Sequence, residues 1–442
     1  MMDFLLFWHS LWHVVLAFVF YYPLFMSSLW IVGAIFFYFK NEKPYSKYII
    51  PPLREKETWD GVSILIPCYN EGVNAIETIT YALNVDYPEF EVIAINDGSK
   101  DNTLEILVAL AQENPRLKVV NLAENQGKAL GLQAGALLAK YEYLICIDGD
   151  ALIDKHCVHW MVKHFVRYPE VAAVTGNPRI RNRTTLLGKI QVGEFSSIVG
   201  MIKRAQRSFG RLFTVSGVIT GFRKAAVHEV GYWSPDMLTE DIDITWKLQR
   251  NGWDVRFEPR ALVWILMPET LSGLWKQRLR WAMGGVQVML KNFKVLFHPK
   301  QTHLWGLMTE LMLSTLWAYS MVLVFLVWFI SLFVPVSYLM PQRSPILPDE
   351  SSVILIGACL IQFAISKWLD GHYDQGLGKN YFWMVWYPFV YWLLNLFTAV
   401  TALPKVLFTK KGRARWISPD RGAHQQLKKS DDTPLDQATN KG

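Results

Sequence analysis

Four charged signatures fall in a fixed order between two hydrophobic blocks of membrane length. They are Asp97 in INDGSKD, Asp148-Gly149-Asp150 in CIDGDA, Thr239-Glu240-Asp241 in LTEDID, and Gln277-Arg278-Leu279-Arg280-Trp281. Carboxylate oxygens suit a hard cation such as Mg²⁺ or Mn²⁺, which makes Asp148 and Asp150 metal candidates. The glycine between them permits close approach to a ligand. Asp241 is the candidate general base, placed to take the proton of an attacking hydroxyl. Gln277 and Arg280 lie three apart and share a helical face, with Trp281 beside them. Arginine pairs bidentately with phosphate, and tryptophan offers a flat apolar surface to a sugar ring. Each signature also has a plain structural use. Asp-Gly-Ser makes a good turn, acids at 240–243 complement a helix dipole, and aromatic and basic residues anchor an interfacial helix. It is the set, in order and next to membrane blocks, that points to a charged nucleotide donor and a product handed to the bilayer.

The elements that must position these groups are legible. Val62–Pro67, Glu91–Asn96, Leu117–Leu122 and Tyr143–Ile147 read as strands, and Glu71–Leu83, Asp101–Gln112 and Lys128–Leu138 as helices. Strand and helix alternate with short connections, the pattern of a parallel α/β sheet with right-handed crossovers. Such sheets bind ligands beyond the carboxyl ends of their strands. Tyr69, Asp97 and Asp148 each follow a predicted strand, so they converge on one crevice. Residues 171–260 are less regular, with strands predicted at Val171–Thr175 and Val255–Glu258 and a helix at Leu238–Asn251. Leu274–Phe297 is amphipathic, with Trp275, Leu279, Ala282 and Val286 on one side, and suits a membrane interface.

Of the 442 residues 51% are hydrophobic, with mean hydropathy +0.15. They concentrate in Phe4–Phe39, Leu304–Pro335, Val353–Ser366 and Tyr381–Phe408. A spanning helix needs roughly 20 apolar residues, which the first, second and fourth blocks supply. Val353–Ser366 has only 14. It is expected to stop short of a full crossing, which would leave the basic tail on the catalytic side. The N-terminal block lacks a basic n-region and a small-residue cleavage site, so it reads as an anchor rather than a leader. It ends at Lys40, Lys43 and Lys47, and its crossing number is open because only Tyr21-Tyr22-Pro23 interrupts it. The net charge is +7. Lys405, Lys410, Lys411, Arg413 and Arg415 adjoin a hydrophobic block, which fits anionic lipid. No nucleic-acid signature is present. The four cysteines show no paired spacing and are expected to be reduced. The expected division is a membrane segment at 1–40, a linker at 41–60, a catalytic domain at 61–270, interface helices at 271–300, a membrane region at 304–408 and a flexible basic tail at 409–442.

PCYNE, INDGS, CIDGD, TED and QRLRW together resemble glycosyltransferase family 2, specifically its processive membrane synthases, to which the cellulose and hyaluronan synthases belong. The resemblance covers about residues 60–285 and extends into the flanking membrane blocks. Within the family, AVTGNPRIRNRTTLLGKIQVGE, GYWSPDMLTEDIDITWKLQ and the tail RARWISPDRG are similar to the synthases of biofilm poly-N-acetylglucosamine. The resemblance implies an α/β, glycosyltransferase A-type domain flanked by transmembrane and interfacial helices. It implies an inverting enzyme of the bacterial inner membrane, with its catalytic domain in the cytoplasm. That enzyme would polymerise N-acetylglucosamine from UDP-N-acetylglucosamine into a β-1,6-linked chain and help export it. It also implies Mg²⁺ or Mn²⁺ at Asp148 and Asp150, and places Tyr69, Glu71, Asp97, Lys128 and Asp148 at the donor. Asp241 is then the base, while Gln277, Arg280, Trp281, Ser216 and Gly217 serve the diphosphate and acceptor. A small membrane accessory subunit and cyclic di-GMP are implied by the resemblance alone. Two competing readings are a family-2 transferase adding one sugar to a lipid carrier and a non-catalytic membrane subunit.

Overall fold

The computed structural model describes residues 2–55, 57–334, 350–374, 376–384, 387, 391–409 and 412–414. Most of the expected tail, with Lys410, Lys411 and Arg415, therefore lies outside the described residues. The first strand, β1 (Val62–Cys68), is buried along its whole length, as is β2 (Phe90–Asp97). Continuous apolar runs of this kind are what a sheet covered on both faces requires. With β3 (Leu117–Leu122) and β4 (Tyr143–Ile147) they form a parallel half-sheet in the order β3-β2-β1-β4. Helices Ala75–Leu83, Thr103–Glu113 and Lys128–Leu138 make the crossovers. The chain order reverses between β1 and β4, and Asp148 follows β4 at that crevice.

The second half is mixed. β5 (Leu152–Ile153), β6 (Val171–Ile180), β7 (Ile219–Arg223) and β8 (Asp254–Ile265) extend the sheet to eight strands, ending β4-β7-β6-β8-β5. β7 runs antiparallel to both β4 and β6, while β6 and β8 are parallel. β6 and β8 are longer than their sequence suggests, and β7 is not foreseen at all. Pro178 and Pro259 argue against strands at those points. Pro259 falls in the register shift between the Thr175–Phe257 and Asn177–Leu262 pairs, while Pro178 pairs with Val263 just beyond it.

Among the described residues three helices are long and apolar enough to cross a membrane: the N-terminal one, Trp305–Ser331 and Glu350–Asp370. The first is a single helix, Met2–Phe37, with Pro23 inside it. The 36 residues give about 54 Å, well beyond a ~30 Å hydrocarbon core. The helix therefore continues to the catalytic domain, where Gly33 packs so tightly that a Cβ there would meet the Ala205 backbone at 2.9 Å. A buried ionic knot fixes the junction. Arg204 donates to Glu42 at 2.7 and 3.0 Å and to Asp370 at 2.7 Å, and Arg179 reaches Asp370 at 2.8 Å.

One expectation is overturned. Val353–Ser366 is the middle of a 21-residue helix, Glu350–Asp370, because Lys367, Trp368 and Leu369 extend it. The short apolar helix is the last one, Trp392–Phe408, with 17 residues. Its N-terminal Trp392 packs against Trp317 and Phe325, deep along Trp305–Ser331. Its C-terminal Ala402 returns to the cluster of Leu304 and Leu307. Beyond it, the Ala414 amide donates to the carbonyl of Pro235 in the catalytic domain, at 2.8 Å.

The interface helix is Leu271–Asn292, capped by Thr270, whose hydroxyl accepts from the Gly273 amide at 3.1 Å. Its predicted apolar face is real but faces protein rather than lipid. Leu279 and Val286 join Trp246, Leu304, Leu307 and Ala402 in one cluster. The four cysteines are free thiols, as expected.

Candidate active site

The strand ends and the interface helix enclose a cavity of about 1560 Å³. Lys128, Asp148, Asp150, Ser216, Gly217, Asp241, Gln277, Arg280 and Trp281 all line it. Residues from five separate parts of the chain thus meet as their motifs require. The cavity continues between the membrane helices, where Val19, Tyr22, Met26, Met321, Phe325 and Trp392 form its wall.

Lys128 opens its helix after Gly127, whose φ of +87° is a conformation glycine adopts readily. Its ammonium lies 2.6 Å from Asp148 Oδ1 and 3.2 Å from Glu240 Oε1, and donates to the Gly217 carbonyl at 2.9 Å. Burial works against this charge, yet Asp148 and Glu240 hold the Lys128 pKa well above its ordinary value. Burial also opposes the charge of Glu240, and Lys128 nevertheless lowers its pKa. Asp241 responds the other way. Its pKa is pushed up to about 6 by burial and by the neighbouring Glu240, against the pull of Lys128 and Arg280. Asp241 Oδ2 accepts the Gly217 amide at 3.1 Å, which aims the carboxylate into the cavity. A base near neutrality is well matched to accepting a hydroxyl proton.

Tyr69, Glu71 and Asp97 sit at the strand ends but not in the cavity wall. Asp97 is fully buried, and its two oxygens accept the amides of Gln126 at 2.7 Å and Gly127 at 2.9 Å. Burial raises its pKa in spite of those bonds. Asp97 therefore fixes the loop that launches Lys128. Glu71 is also buried, accepts from Asn74 Nδ2 at 2.9 Å, and lies under the Asp148–Asp150 turn. A Cβ on Gly149 would meet Glu71 Cγ at 3.1 Å. Gln277 and Arg280 line the cavity, and among the described residues their side-chain hydrogen bonds are long, to Met267 Sδ at 3.9 Å and the Leu238 carbonyl at 3.5 Å. They are available to a ligand.

Sequence reasoning missed three contributors. Glu240 passes for an ordinary first-turn acid until Lys128 is placed beside it. Arg278 lies over the Trp281 ring, 4.4 Å from its centroid, and pairs with the buried Glu194 at 2.5 Å. Lys203 lines the cavity but carries no motif.

The sheet, the strand-end carboxylates and the attached apolar helices define a membrane protein of glycosyltransferase A-type fold. A family model described as "Glycosyltransferase like family 2" matches residues 60–284. The poly-beta-1,6-N-acetyl-D-glucosamine synthase of Staphylococcus epidermidis is 42% identical over 413 residues, 93% of this chain and 100% of its own. The enzyme of that name from Staphylococcus aureus strain COL is 42% identical over 410 residues, 92% of this chain and 99% of its own. A solved mannosyltransferase from Pyrobaculum calidifontis, in complex with GDP-Man and Mn²⁺, superposes with a TM-score of 0.59 at 17% identity. That match covers 88% of this chain and 99% of the other, and it speaks for the fold. The chain belongs to glycosyltransferase family 2.

Proposed function

We propose that this chain is an inverting, processive N-acetylglucosaminyltransferase that builds β-1,6-linked poly-N-acetylglucosamine from UDP-N-acetylglucosamine. The observation that carries the reading is the placement of Asp241 in a cavity that opens both to the strand-end carboxylates and into the membrane helices. The O6 hydroxyl of the chain end attacks C1 of the donor sugar. Asp241 takes the O6 proton, the new C1–O6 bond forms, the C1–phosphate oxygen bond breaks, and UDP leaves with that electron pair. Attack opposite an α-linked leaving group gives the β product. Arg280 and Gln277 line the cavity where the diphosphate would lie, and Trp281 offers a surface to the acceptor ring.

Asp148 and Asp150 fit Mg²⁺ or Mn²⁺. Among the described residues no three His, Cys, Asp or Glu side chains form a cage. Two carboxylates completed by substrate phosphates are what Mg²⁺ commonly uses. When bound, the ion would neutralise charge on the departing diphosphate. Lys128, already on Asp148, would share that carboxylate.

Nucleotide sugars are cytoplasmic, so the catalytic domain faces the cytoplasm and the chain sits in the bacterial inner membrane. The apolar end of the cavity supports export of the polymer through the membrane part. The test is incubation of membranes containing the full chain with radiolabelled UDP-N-acetylglucosamine, followed by a β-1,6-specific hydrolase. High-mass product degraded by that hydrolase is expected. A single labelled sugar on lipid would establish the carrier-transferase reading instead.

A further inference from the structure

One buried cation has no place in the mechanism above. Lys203 lies on the Ile202–Ser208 helix, only 6% exposed, and lines the cavity. Its Nζ is 3.2 Å from Thr175 Oγ1. Among the described residues it makes no ion pair. Among the described residues its hydrogen bond goes to Thr175, and an amino group of either protonation state has a donor left for a ligand in the cavity. A buried charge without a counter-ion is costly. Burial pulls the Lys203 pKa down to about 7, and Asp241 is the acid that offsets it.

The neighbourhood indicates which substrate it meets. Thr175 Oγ1 also accepts the Ser216 amide at 2.8 Å, and the next amide, Gly217, donates to Asp241 at 3.1 Å. Two consecutive loop residues therefore link Lys203 and the base. Asp148 and Glu240 are engaged by Lys128, on the carbonyl side of Gly217. Lys203 instead reaches Thr175, which also holds the Ser216 amide. Its own helix packs on the N-terminal membrane helix at Gly33 and Ala205. Cavity-lining Gln206, one turn on, turns its amide to Phe213 N and Glu310. On the transferase reading, the ligand that would reach this membrane-side wall is the growing chain, an uncharged sugar rich in hydroxyl and acetamide oxygens.

Resting on the transferase reading above, we propose that Lys203 is an acceptor-binding residue. It donates to an oxygen of the terminal N-acetylglucosamine unit and so holds the O6 hydroxyl of that unit toward Asp241.

The test uses the full chain in detergent, with UDP-N-acetylglucosamine and a short β-1,6 N-acetylglucosamine oligomer as acceptor. Lys203→Met removes the donors and keeps the length, and Lys203→Gln keeps a neutral donor. UDP binding measured directly reports folding of the donor site. With the wild type forming polymer, Lys203→Met is expected to bind UDP within about twofold of wild type. Its KM for the oligomer rises at least tenfold, and more of the released UDP comes from hydrolysis rather than transfer. Lys203→Gln falls between the two. An oligomer KM and transfer-to-hydrolysis ratio equal to wild type in both variants overturns the proposal. So does a loss of UDP binding in Lys203→Gln that matches the loss of transfer. A wild type that makes no polymer from this donor would instead refute the transferase reading.

Discussion

Lys128 and Asp148 meet at 2.6 Å, one from the N-terminus of a helix and the other from the end of β4. The same ammonium reaches Glu240 at 3.2 Å, so one cation holds together acids from two distant signatures. Lys128→Met should leave Asp148, Glu240 and Asp241 repelling one another. Asp241 would then hold its proton to higher pH. The acid limb of kcat/KM is expected to move upward by roughly one to three pH units, the size of an opposite-charge effect at contact. A pH–rate profile with an unmoved acid limb would show that Lys128 does not govern the base.

Asp241, the proposed base, gives the second expectation. Its pKa is raised to about 6. Asp241 works only when deprotonated, so transfer should rise with pH through about 6 and fall tenfold per unit below it. Asp241→Asn should reduce transfer by roughly two to four orders of magnitude, with no acid limb in what remains. UDP binding should stay near wild type, because an amide keeps the shape. Near-normal turnover in this variant would remove Asp241 from the mechanism.

Much of this site is legible in the order of the amino acids, and the reasons differ along the chain. β1, β2 and β4 are fully buried, so their apolar runs end where the strands end and put Asp148 at the crevice. The 219–223 strand has only a short ITGFR segment and pairs with non-local neighbours, which no local pattern announces. Asp97 stands at the strand end that its motif indicates, and its oxygens also hold the Gln126 and Gly127 amides, a loop contact that the motif does not announce. Lys203 sits in KRAQR, which resembles an exposed charge run. Only the packing of its helix on the membrane segment buries it.

Metal dependence is the next expectation, from the proposed role of Asp148 and Asp150. EDTA-treated membranes should lose activity and recover it with Mg²⁺ or Mn²⁺. Asp150→Ala should weaken use of the donor without altering membrane insertion, since Asp150 faces the cavity rather than a helix junction. Direct Mn²⁺ binding, followed by electron paramagnetic resonance with UDP present, gives a readout apart from turnover. Equal Mn²⁺ binding by the Asp150→Ala chain would sink the assignment.

Gly284 offers a steric test. A Cβ there would lie 1.9 Å from Thr239 Oγ1 and 2.7 Å from Thr239 Cβ. Gly284→Ala must push the interface helix away from the turn that carries Glu240 and Asp241. Overpacking of this kind costs about 1–3 kcal/mol. Transfer should fall more than tenfold while the chain still inserts into membranes. Thr239→Gly in the same chain removes all three atoms that the methyl group meets and should recover part of the activity. Wild-type turnover by Gly284→Ala alone would mean that this contact does not position the base.

The last expectation concerns which side of the membrane holds the tail. With the catalytic domain in the cytoplasm, Trp305–Ser331 runs outward and Glu350–Asp370 returns. The return is marked by Asp370, which pairs with Arg179 and Arg204 of the catalytic domain. Trp392–Phe408 has 17 residues, about 26 Å of helix, against a hydrocarbon core of about 30 Å. Both of its ends are placed by contacts. Trp392 lies beside Phe325, while Ala402 is back at Leu304, where the outgoing helix began. Trp392–Phe408 is therefore expected to end on the catalytic side without a full crossing, and Ala414 meets Pro235 of the catalytic domain. A basic tail on that side also agrees with the positive-inside tendency. A fluorescent protein fused after Gly422 should be bright, and alkaline phosphatase at the same position should be inactive. The N-terminus, separated from the catalytic domain by one crossing, should give the opposite pair of results. An active phosphatase at the C-terminal position would place the tail outside and require Trp392–Phe408 to cross completely.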